Sequence, residues 1–401
     1  DLIKIDFQIL RETVNGKPLV LFDNAATTQK PQSVIDRIAY FYEHENSNIH
    51  RAAHELAARA SDAYEAAREK VKTFLNAGSV NEIVFVRGAT EGINLVASTW
   101  GEQNLNSGDE IIVSNLEHHA NIVPWKRLAD KKGLKLRVIP VDDDGQILLD
   151  EYAKLLNSKT RLVAFTQVSN ALGTVTPAKQ MVEMAHAVGA KVLLDGAQSV
   201  SHMKVDVRCL NADWLVFSGH KLFGPTGIGV LYGKENLLNE MEPYQSGGNM
   251  IQDVTFEEIK YHKAPNRFEA GTGNIADAIG LGAAIDYVSK IGIEVIGQYE
   301  HYLLEYATRL LKEIPGVKIN VPEGAFYVFP DVSAYYGKSD GNTTVTNASD
   351  FSMYLLNEAN VSSVMGDAFG EPNCVRFSFA NSMPNIEKAW ARIKEALAKL
   401  K

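Results

Sequence analysis

Cysteine is scarce in this chain: Cys209 and Cys374 are the two in 401 residues. That count excludes a disulfide scaffold and leads us to expect a reducing, cytoplasmic compartment. Long hydrophobic runs are also missing. None approaches the ~18 apolar residues needed to span a bilayer, so no membrane partner is expected. Positive charge is in deficit, with 40 Lys and Arg against 49 Asp and Glu and a net charge of −9. An acidic chain without a basic stretch is a poor ligand for nucleic acid or an anionic membrane. With 45% hydrophobic and 22% charged residues, the chain is neither disordered nor collagen-like. The start, Asp1-Leu2-Ile3-Lys4, lacks the form of a signal peptide, and the missing Met leads us to expect residues upstream. At roughly 100–200 residues per domain, two or three domains are expected.

What is present is a strand–helix alternation from about residue 80 to 232. Strand-like runs are Glu82–Val86, Glu110–Ser114, Lys135–Pro140, Leu162–Phe165, Lys191–Asp195, Trp214–Phe217 and Ile228–Tyr232. Helical stretches fall at Thr90–Trp100 and near 121–132 and 177–188. Apolar strands alternating with amphipathic helices predict an α/β fold with a mostly parallel sheet covered on both faces. Ligands on such sheets bind at the carboxyl ends of the strands. Residues 277–313 read as one or two long helices. Pro322–Phe329 reads as a strand entry, 338–347 as a polar loop, and Asn385–Lys401 as an amphipathic terminal helix. The expected layout is a large domain over 16–289 and a smaller α+β domain formed by 1–15 and 290–401.

Four places could carry chemistry. Lys221, in Ser218-Gly219-His220-Lys221, follows an apolar strand among glycines. A desolvated Lys there can act as a nucleophile toward a carbonyl, or it can be a surface Lys in a Gly-rich turn. Asp195, in Asp195-Gly196-Ala197-Gln198, ends a buried strand, where a carboxylate needs a cationic partner or caps the next turn. Arg87-Gly88-Ala89-Thr90-Glu91-Gly92 joins a strand to a helix, as a phosphate site or a plain N-cap. Glu117-His118-His119-Ala120-Asn121 offers a ring to lie over a flat cofactor, or an acid/base group. Adjacent His side chains diverge, and no further His or Cys stands at ligand spacing, so no metal is expected. His50 and Asn170 are further polar residues in loop-like places.

Those segments resemble, in family order, the Suf-type cysteine desulfurases, class V members of the fold-type I superfamily that depends on pyridoxal 5′-phosphate (PLP). Asp23-Asn24-Ala25-Ala26-Thr27-Thr28, Asn48-Ile49-His50-Arg51 and Phe268-Glu269-Ala270-Gly271-Thr272 extend the match over about residues 5–320. The resemblance implies that Lys221 holds PLP covalently and moves protons. It implies that Asp195 pairs with the pyridine nitrogen, Gln198 with the phenolic oxygen, and that His118 stacks on the ring. Thr90, Ser218 and His220, with the Ala89 backbone, would hold the phosphate. Thr272 would reach the phosphate of a second subunit, which implies a homodimer. His50, Asn170 and Arg376 would bind a small amino-acid substrate, and a sulfur-acceptor protein would receive the product for iron–sulfur cluster assembly.

One departure stands out. The family carries its nucleophilic cysteine in a small-domain loop, within an Arg-x-Gly-His-His-Cys segment. The corresponding region here is Val364-Met365-Gly366-Asp367-Ala368-Phe369-Gly370, without Cys. Pro322–Pro330, Gly366–Gly370 and Asn373–Ser378 instead resemble the small domain of class I aspartate-type aminotransferases, joined near residue 320 as in a chimera. Cys209 is expected to be a small buried apolar residue, and Cys374 to pack at a strand start. The functions that follow are a cysteine desulfurase lacking its usual nucleophile, an aminotransferase, or a PLP-binding scaffold without turnover.

Overall fold

Strand residues that alternate in sequence alternate between two hydrophobic cores. In Ile83–Val86 (β1), Ile83 and Phe85 join one core while Val84 and Val86 join the other. In Thr160–Thr166, Val163 and Phe165 face the first, and Leu162 and Ala164 the second. Both faces of the sheet are therefore covered, and each fully buried Val, Leu, Ile or Phe contributes about 1.5–3 kcal/mol. The computed structural model describes residues 3–14, 17–18, 26–50, 53–319 and 322–401.

The central sheet has seven strands. After β1 come Glu110–Ser114 (β2), Lys135–Ile139 (β3), Thr160–Thr166 (β4), Lys191–Asp195 (β5), Trp214–Ser218 (β6) and Gly229–Gly233 (β7). Their spatial order is β1-β7-β6-β5-β4-β2-β3. β3, β2, β4, β5 and β6 pair in parallel, while β7 runs antiparallel to both β1 and β6. The carboxyl ends of β1 to β6 thus share one edge, where Arg87, Asn115, Gln167, Gly196 and Gly219 begin the loops.

Helices cover the two faces. Gln32–Tyr40 (α1), Glu55–Phe74 (α2), Ala178–Ala187 and Ile275–Ile291 lie on one side; Ala89–Val96 (α3) and Val123–Lys132 (α4) lie on the other. We label Ala178–Ala187 α5 and Ile275–Ile291 α6. In α2 the buried residues Ala57, Ala60, Tyr64, Ala67 and Val71 recur at three- and four-residue steps, the stripe of an amphipathic helix. His54 caps it, its Nδ1 accepting Ala57 N–H at 3.2 Å. The expected helix Thr90–Trp100 is α3 followed by a wider π-helical turn over Ala97–Gly101.

Gly292, at φ +95°, separates α6 from Ile293–Lys312 (α7), a break that favours glycine. A third core lies beyond it. Ala348–Ala359 (α8) and Met383–Leu397 (α9) join α7 in burying Leu303, Leu304, Phe351, Leu355, Trp390 and Ile393. These pack on a three-stranded antiparallel sheet. Its strands are Tyr327–Val328, Val364–Met365 and Val375–Ser378. The expected strand entry at Pro322–Phe329 shrinks to Tyr327–Val328, because those two residues alone pair with Phe377 and Ser378. The expected junction near 320 touches residues 320–321, which lie outside the described residues.

Cys209 corrects an expectation. It is exposed, on a helical turn Val207–Leu210, where its N–H donates to Asp206 Oδ1 at 2.8 Å. That cap turns Arg208 and Cys209 outward and Val207 inward. Among the described residues, no helix is long and apolar enough to cross a membrane.

Candidate active site

A cavity of about 790 Å³ opens at the carboxyl edge of the sheet. Each strand end delivers part of its lining. After β1, Gly88 leads into α3, and Ala89 N–H donates to Ser218 Oγ at 2.9 Å. A Cβ at Gly88 would lie 3.1 Å from Ser218 Oγ, and one at Gly229 would lie 2.5 Å from Gly88 Cα. Only bare backbone lets β1, β6 and β7 close this far, leaving the start of α3, Thr90 and Ser218 around one concavity.

β5 ends in Asp195, 4% exposed, whose Oδ1 accepts Ala197 N–H at 2.9 Å. Gln198, equally buried, donates from Nε2 to Tyr327 Oη at 3.1 Å. β6 ends in Ser218 and continues through a single turn, Gly219–Lys221. Burial holds the Lys221 ammonium below its ordinary range; Asp195 opposes that and Arg376 adds to it. The same turn carries His220, whose imidazole burial, with Lys221 and Lys30 nearby, pushes down to about 4. The His220 carbonyl accepts from Thr27 Oγ1, Thr28 N, Thr28 Oγ1 and Lys30 Nζ at 2.9–3.2 Å. Burial pushes Lys30 down to about 8.

After β2, His118 caps the turn His119–Asn121, with Nδ1 accepting Ala120 N–H at 3.1 Å. A neutral ring therefore carries its proton on Nε2. Burial, then Lys221, holds the His118 pKa below its ordinary value despite Asp195. Beyond β4, Asn170 offers its carbonyl to Arg376 Nη1 at 2.7 Å. The Arg376 guanidinium lies 4.5 Å from the rings of both Tyr327 and Phe369. Such stacking orients a planar cation whose fork suits a carboxylate. Phe369 packs edge-on against Phe329 at 5.7 Å, and Gly366 N–H donates to the Cys374 carbonyl at 2.8 Å. The segment from Asp367 to Glu371 thus lines the cavity from a short, internally bonded turn.

Ala89, Thr90, His118, Asn170 and Asp195 come together in this cavity, as do Gln198, Ser218, His220, Lys221 and Arg376. His50 and Thr272 do not. His50 Nε2 sits 3.2 Å from Glu65 Oε1. Thr272 lines a separate polar cavity of about 220 Å³ with Asn48, Tyr64 and Glu269. Asp23, Asn24, Ala25 and Arg51 of the matching segments lie outside the described residues. Among the described residues, no cluster of His, Cys, Asp and Glu could hold a metal ion.

Glu117, Tyr327, Phe369 and Lys30 were not singled out in the sequence. Glu117 stands inside a quoted motif three residues past a strand with an apolar centre, Ile111 to Val113, which is a signal for a carboxyl turned inward. Tyr327, in an otherwise apolar run, gave a weaker one, because its hydroxyl needs a partner when buried. Cys374 sits beside the lining, and burial, with Asp331 and Glu371, pushes its thiol up to about 12.

The family model for aminotransferase class-V matches residues 20–385. A cysteine desulfurase of Synechococcus elongatus is 68% identical over 317 residues, 79% of this chain and 51% of that protein. One of Dickeya dadantii is 51% identical over 323 residues, 80% of this chain and 78% of that protein. The chain spans about half the length of the first curated relatives it matches. Among solved structures, an Escherichia coli cysteine desulfurase in an S-sulfonic acid form superposes with a TM-score of 0.84 at 35% identity, covering 95% of each chain. An apo cysteine desulfurase from Thermococcus onnurineus superposes with a TM-score of 0.88 at 34% identity, covering 99% of this chain and 97% of that one. The likeness in fold extends further along the chain than the likeness in sequence to the curated relatives. With nearly its whole length matched, the chain belongs to the aminotransferase class-V family.

Proposed function

We propose that this chain binds PLP and cleaves the carbon–sulfur bond of a small amino acid, in the manner of a cysteine desulfurase. The observation that carries this reading is Lys221 and Asp195 at neighbouring strand ends of one cavity that Arg376 also lines. The residues fit the cofactor. The Ala89 region, Thr90, Ser218 and His220 would form a cradle for a phosphate, and a Cβ at Gly88 would crowd it, 3.1 Å from Ser218 Oγ. Asp195 suits a protonated ring nitrogen, Gln198 a phenolic oxygen, and His118 the ring face. When bound, PLP supplies an electron sink for the carbon that bears the substrate's amino group.

The chain's own residues then divide the work. Arg376, held between Tyr327 and Phe369, would grip the substrate carboxylate, with Asn170 orienting it. Lys221, its amine pKa lowered by burial, would take the proton from the substrate's α-carbon and return it. Neutral His118 would donate from Nε2. Sulfur must depart without a thiolate from the 366–371 turn, which has no Cys. This favours substrates whose sulfur group leaves unaided, such as cysteine sulfinate. We further propose a large domain over 16–289 and a small one over 1–15 and 290–401, a substrate contact from His50, and a homodimer in which Thr272 serves the partner's site. A sulfur-acceptor protein in iron–sulfur cluster assembly and a cytoplasmic location complete the reading.

The test is reduction of the purified protein with borohydride in the presence of PLP, followed by alanine analysis with cysteine and with cysteine sulfinate. Labelling of Lys221 and faster alanine release from the sulfinate are expected. No labelled lysine would overturn the reading. A second reading, an aminotransferase, is favoured by Arg376 stacked between Tyr327 and Phe369 in a region resembling class I enzymes. It requires conversion of bound PLP to its amine form by aspartate or glutamate.

A further inference from the structure

The carboxyl of Glu117 lines the cavity and has no part in the scheme above. It follows the wholly buried β2 and turns back toward the sheet, onto donors from three elements. Ser114 Oγ, at the end of β2, donates to Oε1. Thr166 N–H, at the end of β4, donates to the same oxygen at 3.0 Å. Asn121 Nδ2 donates to Oε2 at 2.7 Å, and Asn121 Oδ1 in turn accepts Trp125 Nε1–H at 2.8 Å from α4. The residues between, Glu117 to Asn121, form the turn that carries His118, and Asn121 N–H donates to the His118 carbonyl at 2.8 Å. Glu117 is thus the point at which that turn is fastened to the sheet.

Its position also bears on Asp195. Thr166, which donates to Glu117, is the register partner of Asp195 on the neighbouring strand. Ser114 and Asn121 are neutral, so the titratable group facing Glu117 is Asp195 on β5. Two carboxylates ionised side by side in a buried site repel, and environments that separate their pKa values assign one the proton and the other the charge.

We infer that Glu117 is a positioning residue of the proposed site: it locks the His118 turn and, by holding a proton, withholds a second negative charge from the side of Asp195. Burial supports this, pushing the Glu117 carboxyl up to about 8 against the pull of its three hydrogen bonds. Near neutral pH Glu117 then adds no charge behind Asp195. Above the Glu117 transition a second charge appears behind it, and the electronic state of a bound cofactor should respond.

The inference rests on the proposed PLP site for its spectroscopic half alone. The PLP-loaded protein is titrated by visible absorbance as wild type and as Glu117→Gln. In the wild type a transition near pH 8 is expected, and in Glu117→Gln its loss or displacement by more than about one unit. In parallel, hydrogen exchange of the cofactor-free protein is compared with Glu117→Ala. Exchange of the Ala120 and Asn121 amides should rise about tenfold or more, one hydrogen bond's worth of protection. An absorbance transition that Glu117→Gln leaves in place, or unchanged exchange in Glu117→Ala, overturns the proposal. Should either variant fail to fold, the carboxyl carbons of glutamate-labelled, cofactor-free wild type are read by NMR. A resonance titrating near 8 upholds the inference, and none above about pH 6 overturns it. Because exchange and NMR need no cofactor, failure of PLP to bind would sink the functional reading and leave this one standing on its own result.

Discussion

Gln198 and Tyr327 meet through a buried hydrogen bond, Nε2 to Oη at 3.1 Å, between residues 129 apart in the chain. Tyr327 then presents its ring to the Arg376 guanidinium at 4.5 Å. One tyrosine therefore connects the proposed cofactor contact to the proposed carboxylate contact. Tyr327→Phe keeps the ring and removes the hydroxyl, leaving the Gln198 amide short of a partner. A loss of about 1–3 kcal/mol in unfolding free energy is expected, with a modest change in KM. Tyr327→Ala also removes one face of the Arg376 stack, and KM should rise well beyond that of Tyr327→Phe. Equal KM values in the two variants would refute the link to Arg376.

Lys221→Ala should abolish borohydride labelling and the visible absorbance of bound PLP. The proposed phosphate cradle of Ala89, Thr90 and Ser218 should still retain the cofactor, more weakly. Persistence of the absorbance would identify another lysine, and Lys30, also held low by burial, is the first to examine.

The site was legible in the sequence where one strand and the loop after it carry the whole signal. Asp195 ends an apolar run and Lys221 follows one within three residues, and parallel pairing of β5 with β6 does the rest. Contacts distant in sequence were not legible. β7 pairs antiparallel with both β1 and β6, so that Val230 lies beside Phe85 and Phe217. Nothing in Ile228–Tyr232 distinguishes that placement from another parallel strand. The exposure of Cys209 turned on the Asp206 cap, which rotates a four-residue helix and reverses which side chains face inward. Tyr327 is invisible as a site residue until the C-terminal core brings it to Gln198.

A buried ion pair should carry much of the stability between α2 and the loop bearing Thr272. Arg68, 1% exposed, reaches Glu269 through Nη1 at 2.7 Å and Nη2 at 3.0 Å. Glu269 also accepts Phe85 N–H at 2.9 Å and Tyr64 Oη–H at 3.0 Å. Arg68→Met leaves that carboxylate buried without its cation, at an expected cost of about 3–5 kcal/mol. Denaturant unfolding reads this directly. A cost below about 1 kcal/mol would show that solvent already screens the pair.

His220 predicts an acid limb in stability. Its folded-state pKa is held down to about 4, whereas an unfolded chain gives about 6.5. Between these values the unfolded chain binds a proton that the folded one does not. Stability should therefore fall as pH drops from about 6.5 toward 4. His220→Asn should flatten that slope. Melting temperatures measured across the interval decide it, and an unchanged slope would assign the limb to other groups.

The two cysteines give the sharpest test of how sulfur leaves. Cys374 lies next to the cavity lining, yet burial, Asp331 and Glu371 push its thiol up to about 12, so thiolate is scarce at neutral pH. Its carbonyl is also engaged by Gly366 N–H at 2.8 Å, within a turn that leaves little freedom to approach a substrate. Cys209 is exposed but sits on Val207–Leu210, away from the residues that line the cavity. Cys209→Ser, Cys374→Ser and the double variant should all release alanine from cysteine sulfinate at the wild-type rate. Their residual rate with cysteine should be equally unmoved. Loss of cysteine turnover in Cys374→Ser alone would mean that a thiol pushed far from its reactive form still performs the attack, and sulfur transfer would then pass through the strand that carries Arg376.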